Sequence, residues 1–118
     1  MRSDNEILAE LKETAQGLLV MSESDYPLEP IRWSGQVALT PEYLCEISGK
    51  PAGSRIEETD VDTFFRVSER FQDVVDLVTR SLSETRVYKV GTINIPVYIV
   101  GRSPEGNWLG LSTRLVQT

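Results

Sequence analysis

Apolar residues recur at helical spacing in the first two thirds of the chain and at alternating spacing in the last third. Ile7, Leu8, Leu11, Ala15, Leu18 and Leu19 share one helix face, while Glu6, Glu10, Lys12 and Glu13 point elsewhere. Ser3-Asp4-Asn5-Glu6 has the spacing at which a serine hydroxyl and a glutamate satisfy each other's free backbone N–H groups, so the helix starts there. Gly17 weakens its end, and the stretch from Met21 to Pro27 comes next as a polar, acidic exit loop. Leu28 to Trp33 is short and apolar, but Pro30 has no N–H to donate, which places any strand there at a sheet edge or after the proline. Thr40-Pro41-Glu42 reads as N-cap, first-turn proline and an acid at the positive end of a short helix running to Gly49. Lys50 to Ser54 is a loop, Arg55 to Asp60 an exposed strand, and Asp60 or Asp62 the cap of the next helix. Phe64, Val67, Phe71, Val74, Val75, Val78 and Leu82 then form a stripe of about five turns, the long helix, with Ser68-Glu69 the place where it would break and restart.

Beyond Leu82 the period falls to two. Val87 to Val90, Gly91-Thr92 and Ile93 to Val100 read as a hairpin in which Ile93, Ile95, Val97 and Ile99 share a face. Gly101 to Asn107 is a longer turn, and Trp108 to Val116 returns as a third strand. Consecutive hairpins pair antiparallel and need helices to cover them, so the fold class is α+β, an antiparallel sheet with helices packed on it. At 118 residues there is room for one domain.

Composition removes several chemistries. The chain has no histidine and one cysteine, Cys45, which excludes Ser-His-Asp and Cys-His triads, histidine-ligated zinc and an internal disulfide. Cys45 sits mid-helix beside Leu44 and Ile47 and reads as a small buried hydrophobe rather than a nucleophile. Charge adds a direction: the net of -6 is the wrong sign for binding nucleic acid through phosphates and favours a basic partner. The excess is local, with 13 acids and five bases in residues 1–62 against five acids and seven bases in residues 63–118. No signal-peptide core opens the chain, and no apolar run approaches the ~18 residues of a membrane span, so the expected location is the cytoplasm.

Among the acids, Glu57, Glu58, Asp60 and Asp62 lack the register of a calcium loop and suit capping and a solvated edge strand. The loop from Gly49 to Ser54 lacks the spacing of a phosphate-binding loop. No spacing singles out a carboxylate pair for acid-base catalysis. Ser22-Glu23-Ser24-Asp25 alternates hydroxyls with acids on a tight segment beside Tyr26, either as a local cap or as an anion presented to a cationic pocket. Thr118 carries oxygen donors of the kind that magnesium accepts.

Leu18-Leu19-Val20-Met21-Ser22-Glu23-Ser24-Asp25-Tyr26-Pro27 closely resembles the opening region of the nuclease A inhibitor family. Val61-Asp62-Thr63-Phe64-Phe65 resembles its Phe-Phe segment, and the stretches from Val87 to Gly91, Tyr98 to Gly101, Ser103 to Asn107 and Gly110 to Thr113, with Thr118, resemble its tail. Gln36 to Arg55 match weakly. The resemblance implies an α-β-α sandwich that plugs the cleft of a magnesium-dependent, sugar-nonspecific nuclease. It places Glu23 against the nuclease's arginines, with Ser22, Ser24 and Asp25 beside it, and brings Thr118 to the nuclease's magnesium. Such an inhibitor is not an enzyme, needs no cofactor, binds neither nucleic acid nor membrane, and is a monomer when free. The family pattern carries an acidic and aromatic insertion after the Phe-Phe segment, where only Arg66 to Arg70 stand here, so one family contact is missing. A binding module of the same fold with another basic protein partner is the second reading, and an acid-base enzyme working through carboxylates alone the third.

Overall fold

The computed structural model describes residues 3–20, 26–36, 38–51, 53–65 and 71–116. The first helix, α1 (Asp4–Ala15), begins with the full capping box between Ser3 and Glu6. It stops before Leu18 and Leu19, which the periodicity had assigned to it: Gly17 takes a φ of 80°, a left-handed conformation that ends a helix. Leu18 still packs on the core. The chain then forms a two-residue ribbon, β1 (Leu19–Val20) with β2 (Tyr26–Pro27), in which Val20 pairs with Tyr26.

The remaining strands make one antiparallel sheet in the order β3 (Glu29–Trp33), β7 (Trp108–Val116), β6 (Asn94–Arg102), β5 (Ser83–Val90), β4 (Ile56–Thr59). Pro30 lies on an edge strand, where its missing N–H breaks no ladder, and the exposed strand of Glu57 and Glu58 is the other edge. Alternation divides the sheet. Val87, Ile95, Val97, Ile99, Leu109, Leu111 and Leu115 face α1, α3 (Val61–Phe65) and α4 (Gln72–Ser81) in the main core. Trp33, Ile56, Tyr88, Val90 and Tyr98 face α2 (Pro41–Ser48), which lays Leu44 and Cys45 on them. Cys45 is thus a buried hydrophobe, and the result is an α-β-α sandwich. Thr40 caps α2, and Gly49 at a φ of 70° closes it. On the α2 face the Trp33 ring meets Tyr98 at 5.3 Å. By register Gly110 stands between their rows, and a Cβ there would collide with the Ile99 carbonyl oxygen.

The break anticipated in the long stripe is present, but α4 starts with Phe71 and not Ser68 at its N-cap: α3 ends at Phe65 and α4 begins at Gln72, while Ser68-Glu69 lies outside the described residues. Phe65 and Phe71 stack with centroids 4.8 Å apart. On one continuous helix, six residues apart, they would stand about 9 Å apart along the axis and on different faces. Asp60 accepts from the Thr63 N–H at 2.6 Å, the cap expected at that point. The hairpin is also corrected. Gly91, at a φ of 100°, opens a turn over residues 91–93, so β6 starts at Asn94 and Ile93 leaves the core face for solvent, 61% exposed.

Candidate functional site

Strand register sorts the loops into two poles. At one pole lie the N-terminus of α1, the end of β3 and the β6–β7 turn, since Trp33 and Arg102 both pair with Trp108. At the other lie the start of β3 and the end of β7, with Asn94 opposite Val116 and Ile56 opposite Val90.

The first pole is tied shut. Asp4 is buried and takes the Asn107 side-chain amide at 2.7 Å and the Arg32 guanidinium at 3.3 Å on Oδ2. Its own N–H, among the free donors of the helix end, gives to the Glu105 carboxylate at 2.6 Å. Arg102 stacks on Trp108 at 4.0 Å and donates to the carbonyls of Gly35 and Gly106, both at 2.8 Å. Burial alone would raise the Asp4 carboxyl's pKa, yet Ser103, Asn107 and Arg32 hold it below its ordinary 3.8. Oδ1 is buried without a hydrogen bond of good geometry, so the carboxylate is held chiefly through one oxygen. A group this enclosed, aimed at its own chain, fastens α1 to the sheet.

The second pole is where the resemblance puts contact residues. Ser22, Glu23, Ser24, Asp25 and Thr118 themselves lie outside the described residues. Their anchors do not. Val20 and Tyr26 pair directly, so the segment 21–25 leaves and returns at one point. Thr113 of β7 donates from its hydroxyl to the Tyr26 carbonyl at 3.5 Å, which seats the ribbon on the strand that leads to residue 118. The two segments, 93 positions apart in sequence, therefore spring from neighbouring backbone.

Beside them a cleft of about 220 Å³ opens on the α2 face, lined by Tyr26, Pro27, Glu29, Pro96, Tyr98 and Arg114 with Ser112 and Thr113. Nothing in the spacing of these residues announces it, because they come from four separate strands. Between α1 and α4 runs a wider furrow with Glu10, Glu13, Asp73, Asp76 and Arg80. Glu13, Asp73 and Asp76 are exposed and Glu10 is half-buried, so none of the furrow's carboxylates is fully withdrawn from water. Among the described residues no group of three or more metal-binding side chains converges. None of the described helices is long and apolar enough to cross a membrane.

Glu58 pairs with Arg86 at 3.1 Å along the exposed edge, the surface use expected of that acidic stretch. Tyr88, half-buried on the α2 face, is pushed above its ordinary 10.0 by burial and by the nearby Glu58 charge.

No curated protein matches the chain. The family model described as nuclease A inhibitor-like protein matches residues 5–70 and 66–118. Its two segments overlap at 66–70, and the first runs through the stretch from Gln36 to Arg55.

Proposed function

The chain belongs to the nuclease A inhibitor-like family, and from that premise we propose that it inhibits a magnesium-dependent, sugar-nonspecific nuclease by entering its basic substrate cleft. One observation carries the reading: the ribbon that closes residues 21–25 sits on β7, the strand leading to Thr118. A nuclease cleft is positive because it holds phosphates, and a chain of net charge -6 is steered toward it. Within the cleft Glu23 pairs with arginine, flanked by Ser22, Ser24 and Asp25, and Thr118 offers oxygen to the nuclease's magnesium. The chain contributes ligands and shape, and the metal is the partner's.

The test mixes the purified chain with magnesium-dependent nonspecific nucleases and follows DNA degradation. Inhibition at or below micromolar concentration is expected. Unchanged cleavage at micromolar excess across several such enzymes would sink the proposal. The second reading, a basic protein partner other than a nuclease, draws on the absent acidic and aromatic insertion between Phe65 and Phe71. Capture from cell extract on the immobilised chain separates the two, since it predicts a nuclease in the first case and a different basic protein in the second.

A further inference from the structure

Glu29 and Arg114 are opposite charges on the rim of one cleft that do not meet. Glu29 pairs with Ser112 across the strands, so Arg114, two residues further along β7, is its diagonal neighbour on the same face of the sheet. Diagonal neighbours stand about 7–8 Å apart, within reach of long side chains. Both residues are exposed, yet among the described residues neither forms an ion pair. Between them the cleft of about 220 Å³ is surfaced with rings. Pro96, buried, pairs with Arg114 on the neighbouring strand, and Tyr98 follows it on the same face. Tyr26 and Pro27 line the cleft from the ribbon. These surfaces are already held: the Tyr98 hydroxyl is hydrogen-bonded to that of Ser48 on α2 at 3.0 Å, and Thr113 donates to the Tyr26 carbonyl at 3.5 Å.

The occupant that fits carries a cation for Glu29, an anion for Arg114 and an apolar ring for the tyrosine and proline surface. Size narrows the choice. A cavity of about 150 Å³ holds benzene, so this one has room for a ring and the few atoms that bear two charges, while drug-sized ligands occupy sites of about 300–1,000 Å³. An α-amino acid sets an ammonium and a carboxylate on one carbon, and the planar fork of an arginine matches a carboxylate with two parallel donors. We propose that this cleft binds a free aromatic α-amino acid, its ammonium on Glu29, its carboxylate on Arg114 and its ring against Tyr98 and Pro96. Because both charges stand in water, each adds modestly to binding, and the dissociation constant is expected near about 1 mM. None of these residues belongs to the segments 21–25 or 117–118, so the site stands or falls separately from nuclease inhibition.

The experiment titrates the full chain, followed by its amide NMR signals, with L-phenylalanine and with three compounds that each lack one of its parts: 3-phenylpropanoate without the ammonium, 2-phenylethylamine without the carboxylate, and glycine without the ring. L-phenylalanine is expected to shift the signals of residues 96–98 and 112–114 and to bind roughly fivefold more tightly than any of the three. Glu29→Gln should weaken L-phenylalanine by a similar factor and leave 3-phenylpropanoate unchanged. Arg114→Gln should weaken L-phenylalanine likewise and leave 2-phenylethylamine unchanged. Melting temperatures of both variants should equal that of the wild type, since both positions are exposed. No saturable shift up to about 20 mM, about twenty times the expected dissociation constant, would overturn the site. Binding of L-phenylalanine no tighter than that of 3-phenylpropanoate, or unchanged in both variants, would overturn it too. Loss of all four compounds together in either variant would assign that charge to the shape of the cleft and overturn the pairing.

Discussion

The two poles of the sheet are built from similar materials and do opposite things. At the closed pole the polar groups bond within the chain: Asp4 is gripped by Asn107 and Arg32, Arg102 lies on Trp108 and bonds two carbonyls, and Glu105 caps α1. At the open pole Glu29 and Arg114 are exposed at the rim of a cleft, Ile93 stands in water, and the ribbon and β7 are the described elements that precede residues 21–25 and 117–118 in sequence. A buried charge must be partnered, as Asp4 is, whereas the exposed Glu29 and Arg114 keep their water. A strongly acidic chain thus uses some of its acids on itself and holds others out, and strand register decides which.

Substitutions should separate the poles. The largest effect is expected from Glu23→Lys, which sets a like charge against the nuclease's arginines and should cost about 2–5 kcal/mol of binding with no change in melting temperature. Titrating the nuclease with the variant measures it, and inhibition equal to wild type would remove Glu23 from the interface. Deleting Thr118 should weaken inhibition by about 1.5–3 kcal/mol, the worth of a contact to a charged group. If the truncated chain inhibits as well as wild type, the metal contact is absent.

The closed pole should respond the other way. Asp4→Ala leaves Asn107 and Arg32 without their acceptor and should destabilise the fold by about 1–3 kcal/mol in chemical denaturation, while the protein that remains folded inhibits normally. A loss of inhibition without a loss of stability would show that the poles are not separate. The smallest effect is in pH. Because the Asp4 carboxyl is held below 3.8 in the folded chain, its contribution is complete above that unfolded value and disappears as pH falls through the lower folded one. The stability gap between wild type and Asp4→Asn should therefore be constant near neutrality and narrow below about pH 4. A gap that widens on acidification would contradict the assignment.

Local sequence determined a great deal here because local physics suffices for it. The capping box at Ser3, the Thr40-Pro41 start, the Gly49 stop and the edge position of Pro30 all arise from backbone donors that must be satisfied within a few residues. The alternation of Ile95, Val97 and Ile99 identified the core face of β6 for the same reason. Failures came where distant contacts compete with local pattern. The stripe from Phe64 to Leu82 keeps helical period across a break, because α3 and α4 bury their apolar residues in the same core and the stacked Phe65 and Phe71 join them. Ile93 fits the alternation, yet the turn at Gly91 takes one residue more than the pattern supposed.

What the sequence by itself determined is the α+β class, the family, the acidic surplus and the residues to examine, since each is carried by composition or by motifs a few residues long. Only the tertiary structure decided that Asp4 serves the fold, that the ribbon of Tyr26 rests on β7 and that Ile93 shares a pole with that ribbon. The reason is the antiparallel register: it joins residues about eighty positions apart through hydrogen bonds that every backbone makes alike, so no single stretch of sequence records which partners meet.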